Sequence, residues 1–359
     1  MDFSAKWRGF LEASFLKLGF SMTPNPSSQN QEFLALLVHR GFLDRQEAME
    51  VLKSASKEGF EAALLKLTGW GEKKVAYLLR TRGLAEPDIP GYRFEKKLGS
   101  GGTSEVFGVR RAKDFRKVAL KILRPTLARD VYAIKRFLEE GKLLGKLNIP
   151  GIVRGYRTFK FMGTYVLEMD WIPGQTLEDF LAEGKTFPET EALDIVVKVG
   201  KLLELMRKEG VLHRDLKPGN IMIASGGRVS LIDLGFAGEG MSGRSDKDST
   251  LGTPAYLAPE QARGEDSLDA RADIYSLGAT LYHLVLGKLP FSGRSDQEMM
   301  RAQILKSLDG SALKGREVSP SLHYFLEKMM AKDREIRYPS ASALISHIES
   351  HRKAQNDLA

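Results

Sequence analysis

The sequence has no cysteine. Disulfide cross-links and thiol catalysis are therefore excluded, and the absence fits a cytoplasmic chain. No run of 18 apolar residues occurs, so no transmembrane helix is expected. The chain opens Met1-Asp2-Phe3 without a basic segment leading into a long apolar stretch, so a cleaved leader is not expected either. Charge of neither sign dominates, with 54 Lys and Arg against 46 Asp and Glu. Residues 1–90 hold 12 of those cations and 11 of those anions, so the net excess of +8 lies almost wholly in the remainder. A basic excess there would suit the phosphates of a nucleotide, but by itself it does not argue for nucleic acid. What is present is ordinary for a globular protein: 42% hydrophobic and 28% charged residues over 359 positions, enough for two domains with a buried core.

Residues 3–18 set Phe3, Trp7, Phe10, Leu11, Ser14, Phe15 and Leu18 at helical spacing, predicting an amphipathic helix within residues 1–22. Its polar face is not strongly basic, which favours packing on its own domain over a membrane surface. Thr23 to Asn30 reads as a polar linker. Residues 31–84 read as four short helices in two similar halves. Offset by 28, Leu36/Leu64, Leu37/Leu65, Gly41/Gly69, Phe42/Trp70, Asp44/Glu72, Ala48/Ala76 and Val51/Leu79 align as a duplicated helical hairpin. Leu67 to Ala76 also resembles the helix-hairpin-helix motif of DNA-binding proteins, in which a G-x-G turn offers N–H groups to a phosphate. The near-neutral charge of this region argues against DNA, and a module for a regulatory protein partner is the preferred reading. Residues 85–91, with Pro87, Pro90 and Gly91, form a linker.

Beyond residue 91 several motifs follow in order. A strand from Tyr92 to Lys97 leads into Leu98-Gly99-Ser100-Gly101-Gly102-Thr103-Ser104-Glu105-Val106, with serine at the third glycine position. A strand on both sides of this turn separates it from a dinucleotide fingerprint, where a helix follows. Val118 to Leu123 reads as an alternating strand carrying Lys121. A helix from about Arg129 to Lys146 carries two competing acids, Glu139 and Glu140; Glu140 lies beside the packing stripe of Leu143, Leu144 and Leu147. His213-Arg214-Asp215-Leu216-Lys217-Pro218-Gly219-Asn220 is followed by Ile232-Asp233-Leu234-Gly235, then by Gly252-Thr253-Pro254-Ala255-Tyr256 and Ala258-Pro259-Glu260. Ala272-Asp273-Ile274-Tyr275-Ser276-Leu277-Gly278 and Arg337 complete the series.

Taken together, residues 92–350 resemble the eukaryotic-type (Hanks-type) serine/threonine protein kinase domain, of the sort that bacteria also carry. The resemblance implies an α+β, bilobal fold: an antiparallel β N-lobe with one helix over a mainly helical C-lobe, here preceded by a small all-α domain. It implies ATP and Mg²⁺ as cofactors and protein Ser/Thr hydroxyls as substrates. Asp215 would receive the substrate hydroxyl, Lys217 would place positive charge on the transferring group, and Thr253 would hydrogen-bond both. Asn220 and Asp233 would hold the metal. Lys121, paired with Glu140, would hold the phosphates under Gly99 and Gly101. Leu98, Val106, Ala119, Met169, Asp170, Ile172 and Met222 would surround the base, with Met169 as gatekeeper and the backbone of Asp170 and Ile172 reading adenine. The leucine of Asp-Leu-Gly, where the family has phenylalanine, bears on the inactive state and not on the chemistry.

The same resemblance makes residues 235–259 an activation segment, with Ser245, Ser249 and Thr250 as autophosphorylation sites answering Arg214. Asp273 would bind the catalytic-loop backbone, and Arg337 would pair with Glu260. Gly219 stands where arginine-directed kinases often carry Glu, which argues against a preference for basic substrates. The C-terminal stretch 351–359 reads as a polar tail, with no distal sensor domain or anchor expected. The rival readings are a pseudokinase serving as an ATP-binding scaffold, against which Lys121, Asp215, Asn220 and Asp233 speak, and a small-molecule kinase, against which the activation segment speaks.

Overall fold

A computed structural model describes residues 26–39, 41–81, 87–224, 226–234, 254–308 and 318–358. The helix expected over 3–18, Thr253, Ser245, Ser249 and Thr250 lie outside these. The chain divides into two compact units, 1–137 with 158–168, and 138–157 with 169–359.

The first unit opens with helices α1 (Pro26–His39), α2 (Arg45–Glu58), α3 (Phe60–Thr68) and α4 (Glu72–Arg80). Helix α1 starts inside the stretch read as a linker, because proline is tolerated in a first turn, where its missing N–H has no intrahelical acceptor to lose. Gly41 (φ +72°) and Gly69 (φ +62°), following α1 and α3, adopt the left-handed conformation that glycine takes without penalty. The buried positions of the two halves do not correspond at the 28-residue offset. The buried pairs are Leu37/Leu64, Leu43/Trp70, Ala48/Val75 and Val51/Leu78, which are 27 apart, while Ala76 is exposed. The physical reason is the connection: α2 begins four residues after its glycine and α4 three residues after. Asp44 caps α2 in a full capping box with Glu47, whereas Gly71 caps α4 with no side-chain bond.

The module docks on the sheet of the same unit. Strands β1 (Tyr92–Ser100), β2 (Ser104–Arg111), β3 (Lys117–Leu123), helix α5 (Val131–Lys146), β4 (Gly155–Phe161) and β5 (Thr164–Asp170) follow in the chain, and the sheet order is β1-β2-β3-β5-β4. Tyr77 of α4 meets Phe161 of β4 edge to face at 5.3 Å. A Cβ on Gly41 would lie 2.1 Å from Thr126 Cγ2. Strand β3 is not alternating as read: Val118, Ala119, Leu120 and Lys121 are all buried, so both its faces are covered. Asp130 starts α5 by accepting from the N–H groups of Tyr132 and Ala133 at 2.8 and 3.1 Å.

The second unit is mainly helical. A three-stranded sheet of β6 (Gly174–Thr176), β7 (Ile221–Ala224) and β8 (Arg228–Leu231) carries the loops of the site. Around it lie α6 (Leu177–Ala182), α7 (Glu189–Lys208), α8 (Pro259–Ala262), α9 (Ala270–Leu286), α10 (Asp296–Leu305), α11 (Pro320–Met329) and α12 (Ala341–Leu358). Helix α7 buries ten residues and packs against α9 and α12, where Gly200 lets Ile345 approach closely. Residues 351–358 are not a separate tail. They continue α12, and Arg352 binds Asp194 at 2.6 Å and the Thr190 carbonyl at 3.2 Å. Among the described residues no helix is long and apolar enough to cross a membrane.

Candidate active site

In the second unit the catalytic loop is fixed from below. Asp273 on α9, 4% exposed, accepts from the backbone N–H of His213 (2.9 Å) and of Arg214 (2.8 Å). Gln261 Nε2 donates to the Arg214 carbonyl at 2.7 Å. Among the described residues, Arg214 is one of three non-glycine residues with positive φ, at +63°. Such a conformation costs about 1–3 kcal/mol and persists only when its surroundings hold it. Here three hydrogen bonds to the backbone of 213 and 214 do so, and the turn they impose presents Asp215.

Asp215 Oδ2 receives Lys217 Nζ at 2.9 Å and Asn220 Nδ2 at 3.1 Å, and Asn220 Nδ2 also donates to the Asp215 carbonyl at 2.7 Å. Burial pushes the Asp215 carboxyl above the usual aspartate range; Lys217 pulls it back, and the Asp233 carboxylate, which lies near, pushes it further up. The group is thus a more basic acceptor than an ordinary aspartate. His213 is fully buried, and burial holds its imidazole pKa down, so the ring is neutral. Neither of its ring nitrogens has a hydrogen-bond partner among the described residues.

Asn220 and Asp233 offer a hard cation an amide oxygen and a carboxylate. The Asn220 amide N–H₂ is spent on Asp215, which leaves its oxygen as the ligand atom. No group of three or more acidic, His or Cys side chains that could hold a metal ion occurs among the described residues. This set fits a divalent ion that takes few protein ligands and completes its shell with phosphate oxygens. Met169 is buried at the end of β5, and Met222 of β7 pairs in register with Thr176 and Ser230. The Asp170 carboxylate accepts from the Tyr156 hydroxyl. Its backbone N–H is spent on the Arg154 carbonyl at 2.9 Å, so only its C=O remains for a base. Ile172 follows β5, half-buried.

In the first unit the register aligns Gly99 with Val106 and Val106 with Lys121 across β1, β2 and β3. Ala119 lies two residues from Lys121, so Val106, Ala119 and Lys121 share one face. Leu98 sits in the irregularity between Lys97 and Gly99. A Cβ on Gly99 would meet nothing within 4 Å, and one on Gly101 only the Ser104 carbonyl at 3.7 Å. Neither glycine has positive φ, so the chain's own packing does not require them; the space suits a group from outside, such as phosphate. Lys121 is buried at 7% exposure; Glu140 of α5, in the second unit, is buried and Glu139 is not.

Two residues escaped the sequence reading. Arg124 donates to the Gly101 carbonyl and the Ser100 hydroxyl, both at 2.9 Å, and so steadies the glycine turn. Glu178 of α6 places Oε2 only 2.4 Å from where a Cβ on Gly219 would be. A carboxylate thus does stand at the position where glycine had argued against one. No motif marks either residue, because both act across folds of the chain.

An antiparallel sheet with one helix, a helical second unit and an Asp–Lys–Asn loop held by a buried aspartate define the protein kinase class. The protein kinase domain family matches residues 92–348, and the chain belongs to that family. It is 35% identical over 266 residues to serine/threonine-protein kinase PknB of Mycobacterium leprae, covering 70% of this chain and 42% of the relative. It is 32% identical over 276 residues to a probable serine/threonine-protein kinase of Streptomyces coelicolor, covering 74% and 41%. PknB of Mycobacterium tuberculosis gives 34% over 262 residues, covering 70% and 41%. The chain thus spans about two-fifths of the length of these relatives. The family uses ATP with a divalent cation and acts on protein substrates.

Proposed function

We propose that this chain is a serine/threonine protein kinase that transfers the γ-phosphoryl group of Mg²⁺·ATP to protein hydroxyls. The observation that carries the reading is the Asp215–Lys217–Asn220 triangle, with Asn220 buried, Asp215 and Lys217 half-buried, and its loop held by Asp273. Bound Mg²⁺·ATP supplies the electrophilic phosphorus and neutralises charge as the phosphoryl moves. The chain does the positioning. Asp215 accepts the hydrogen bond of the substrate hydroxyl and directs its oxygen. Lys217 balances Asp215 and faces the developing charge. Asn220 and Asp233 hold the metal, while Lys121 and Glu140, with Gly99 and Gly101, hold the phosphates; Leu98, Val106, Ala119, Met169, Asp170, Ile172 and Met222 enclose the base. Thr253 and the turn after it support Ser/Thr as the accepted hydroxyls, and Ser245, Ser249 or Thr250 receives phosphate in autophosphorylation.

The test is phosphate incorporation from labelled Mg²⁺·ATP by the full chain and by Asp215→Asn, with mapping of modified residues. Incorporation that vanishes in the variant, while ATP binding persists, is the expected outcome, and chelation of the metal should abolish it too. Equal incorporation by the variant would overturn the assignment, and ATP binding without any transfer would favour a scaffold. Residues 26–81 form the regulatory module, docked beside the loop that precedes α5.

A further inference from the structure

The second unit contains a cavity of about 330 Å³ that the proposed chemistry does not use, lined by Glu260, Arg263, Glu265, Lys332, Asp333 and Arg334. Its carboxylates are engaged. Glu260 is bidentate with Arg337 at 2.6 and 2.8 Å, Glu265 holds Arg263 at 3.1 Å, and Asp333 accepts from the Glu335 N–H at 2.9 Å. Arg334 donates to the Ser267 carbonyl at 2.8 Å. Lys332 is different. It makes no ion pair among the described residues and donates to the Tyr275 hydroxyl at 2.8 Å, with its nitrogen 4.2 Å from the centre of the Phe291 ring and 5.2 Å from that of Tyr275.

The Tyr275 hydroxyl is committed in turn. It donates to Gln303 Oε1 at 2.6 Å, and Gln303 Nε2 donates to the Ala255 carbonyl at 2.6 Å and the Pro254 carbonyl at 3.2 Å. Tyr275 and Gln303 are fully buried. Lys332 thus lines the cavity, and its amine heads a hydrogen-bond chain that terminates on the backbone next to Thr253.

We propose that Lys332 is a site of covalent acylation by small acyl phosphates, and that its acylation loosens the Pro254–Ala255 turn. In the step, the neutral Lys332 nitrogen attacks the carbonyl carbon of the acyl phosphate. The C–N bond forms, the C–O bond to phosphorus breaks, inorganic phosphate leaves with the electron pair, and the amine's surplus proton passes to water. Arg263 and Arg334 on the cavity wall attract the phosphate end of the donor. The amide product carries no charge and an added acyl group, so it loses the attraction to the Phe291 face and no longer fits beside Tyr275.

The electrostatics support the step. The ring faces favour the ammonium form, but burial, followed by the Arg337 and Arg263 guanidiniums, outweighs them and lowers the Lys332 pKa to about 7. The free-base share at about pH 7.5 is then roughly 500-fold that of an exposed lysine, whose pKa is about 10.4.

The experiment incubates the full-length protein with acetyl phosphate across a pH series and follows each lysine by mass spectrometry. Lys332 should acetylate at least about tenfold faster than the median lysine near neutrality, with a rate that levels off above about pH 8 while the others keep rising about tenfold per unit. Arg263→Gln should slow the reaction with acetyl phosphate more than that with an uncharged phenyl ester, which feels only the accompanying rise in the Lys332 pKa. A Lys332 rate equal to that of exposed lysines, or rising in parallel with theirs, would overturn the site. For the second half, Lys332→Gln should raise KM for a peptide several-fold with little change in kcat, and Lys332→Arg should not. Unchanged KM in both the glutamine variant and the acetylated protein would overturn the coupling. That last readout rests on the kinase reading; the acetylation readout does not, so the two can fail separately.

Discussion

At the scale of single residues, Asp215 shows how much of its chemistry comes from where it is placed. Burial raises its pKa while Lys217 and Asn220 stabilise its ionised form. Since only the carboxylate accepts the substrate proton, kcat/KM should fall as pH drops through a value above the ordinary aspartate range. A pH–rate profile checks this, and Lys217→Met should move the acid limb to still higher pH. Glu178 is the second residue to test. Its carboxylate occupies the space that Gly219 leaves empty, so a carboxylate stands beside the loop from His213 to Asn220. Glu178→Gln should raise KM several-fold for peptides with Arg or Lys near the target hydroxyl and leave neutral peptides unchanged; identical effects on both peptides would exclude the reading.

Among the elements, α8 is tied down by the Glu260–Arg337 pair, with Arg337 2% and Glu260 3% exposed. Arg337 also donates to the Ala331 carbonyl at 2.8 Å and the Arg271 carbonyl at 3.0 Å. Removing one partner of such a pair leaves a buried charge, so Arg337→Leu should destabilise the fold by about 3–5 kcal/mol, read by denaturant titration. The helical module permits a cleaner comparison. Gly41 and Gly69 have almost the same positive φ, and alanine at either costs about 1–2 kcal/mol for the left-handed backbone. Only at Gly41 would the new Cβ also strike Thr126, while at Gly69 it meets nothing within 4 Å. Gly41→Ala should therefore be the more destabilising of the two, and the difference measures the docking of the module on the loop that precedes α5.

For the whole molecule, pH links burial to stability. The folded His213 pKa lies below 6.5 because burial disfavours the imidazolium. The unfolded chain then binds the extra proton as pH falls through about 6.5, so this contribution is fully present above that pH and declines below it by up to about 1.4 kcal/mol per unit. His283 shifts in the same direction through burial. Asp215, with its raised pKa, acts oppositely at lower pH. Urea melts between about pH 5 and 8 should show the loss on the acid side, and His213→Phe should flatten it.

The sequence by itself determined the family, the bilobal α+β fold of residues 92–350, and the residue types of the loop from His213 to Asn220. These are legible because phosphoryl transfer needs a fixed order of charged groups at short spacing, and because glycine and proline mark the turns between periodic runs. It placed the two helical hairpins too, but with a register one residue off, since composition at the glycines does not record the length of the turn that follows. Only the tertiary structure decided that Arg124 steadies the glycine turn, that Glu178 supplies a carboxylate over Gly219, and that Lys332 ends a chain reaching Ala255. Each of these joins residues 23 or more positions apart. Local propensity and spacing carry no information on such distances, and burial, which shifts the pKa values of Asp215 and Lys332, exists only once the chain has packed.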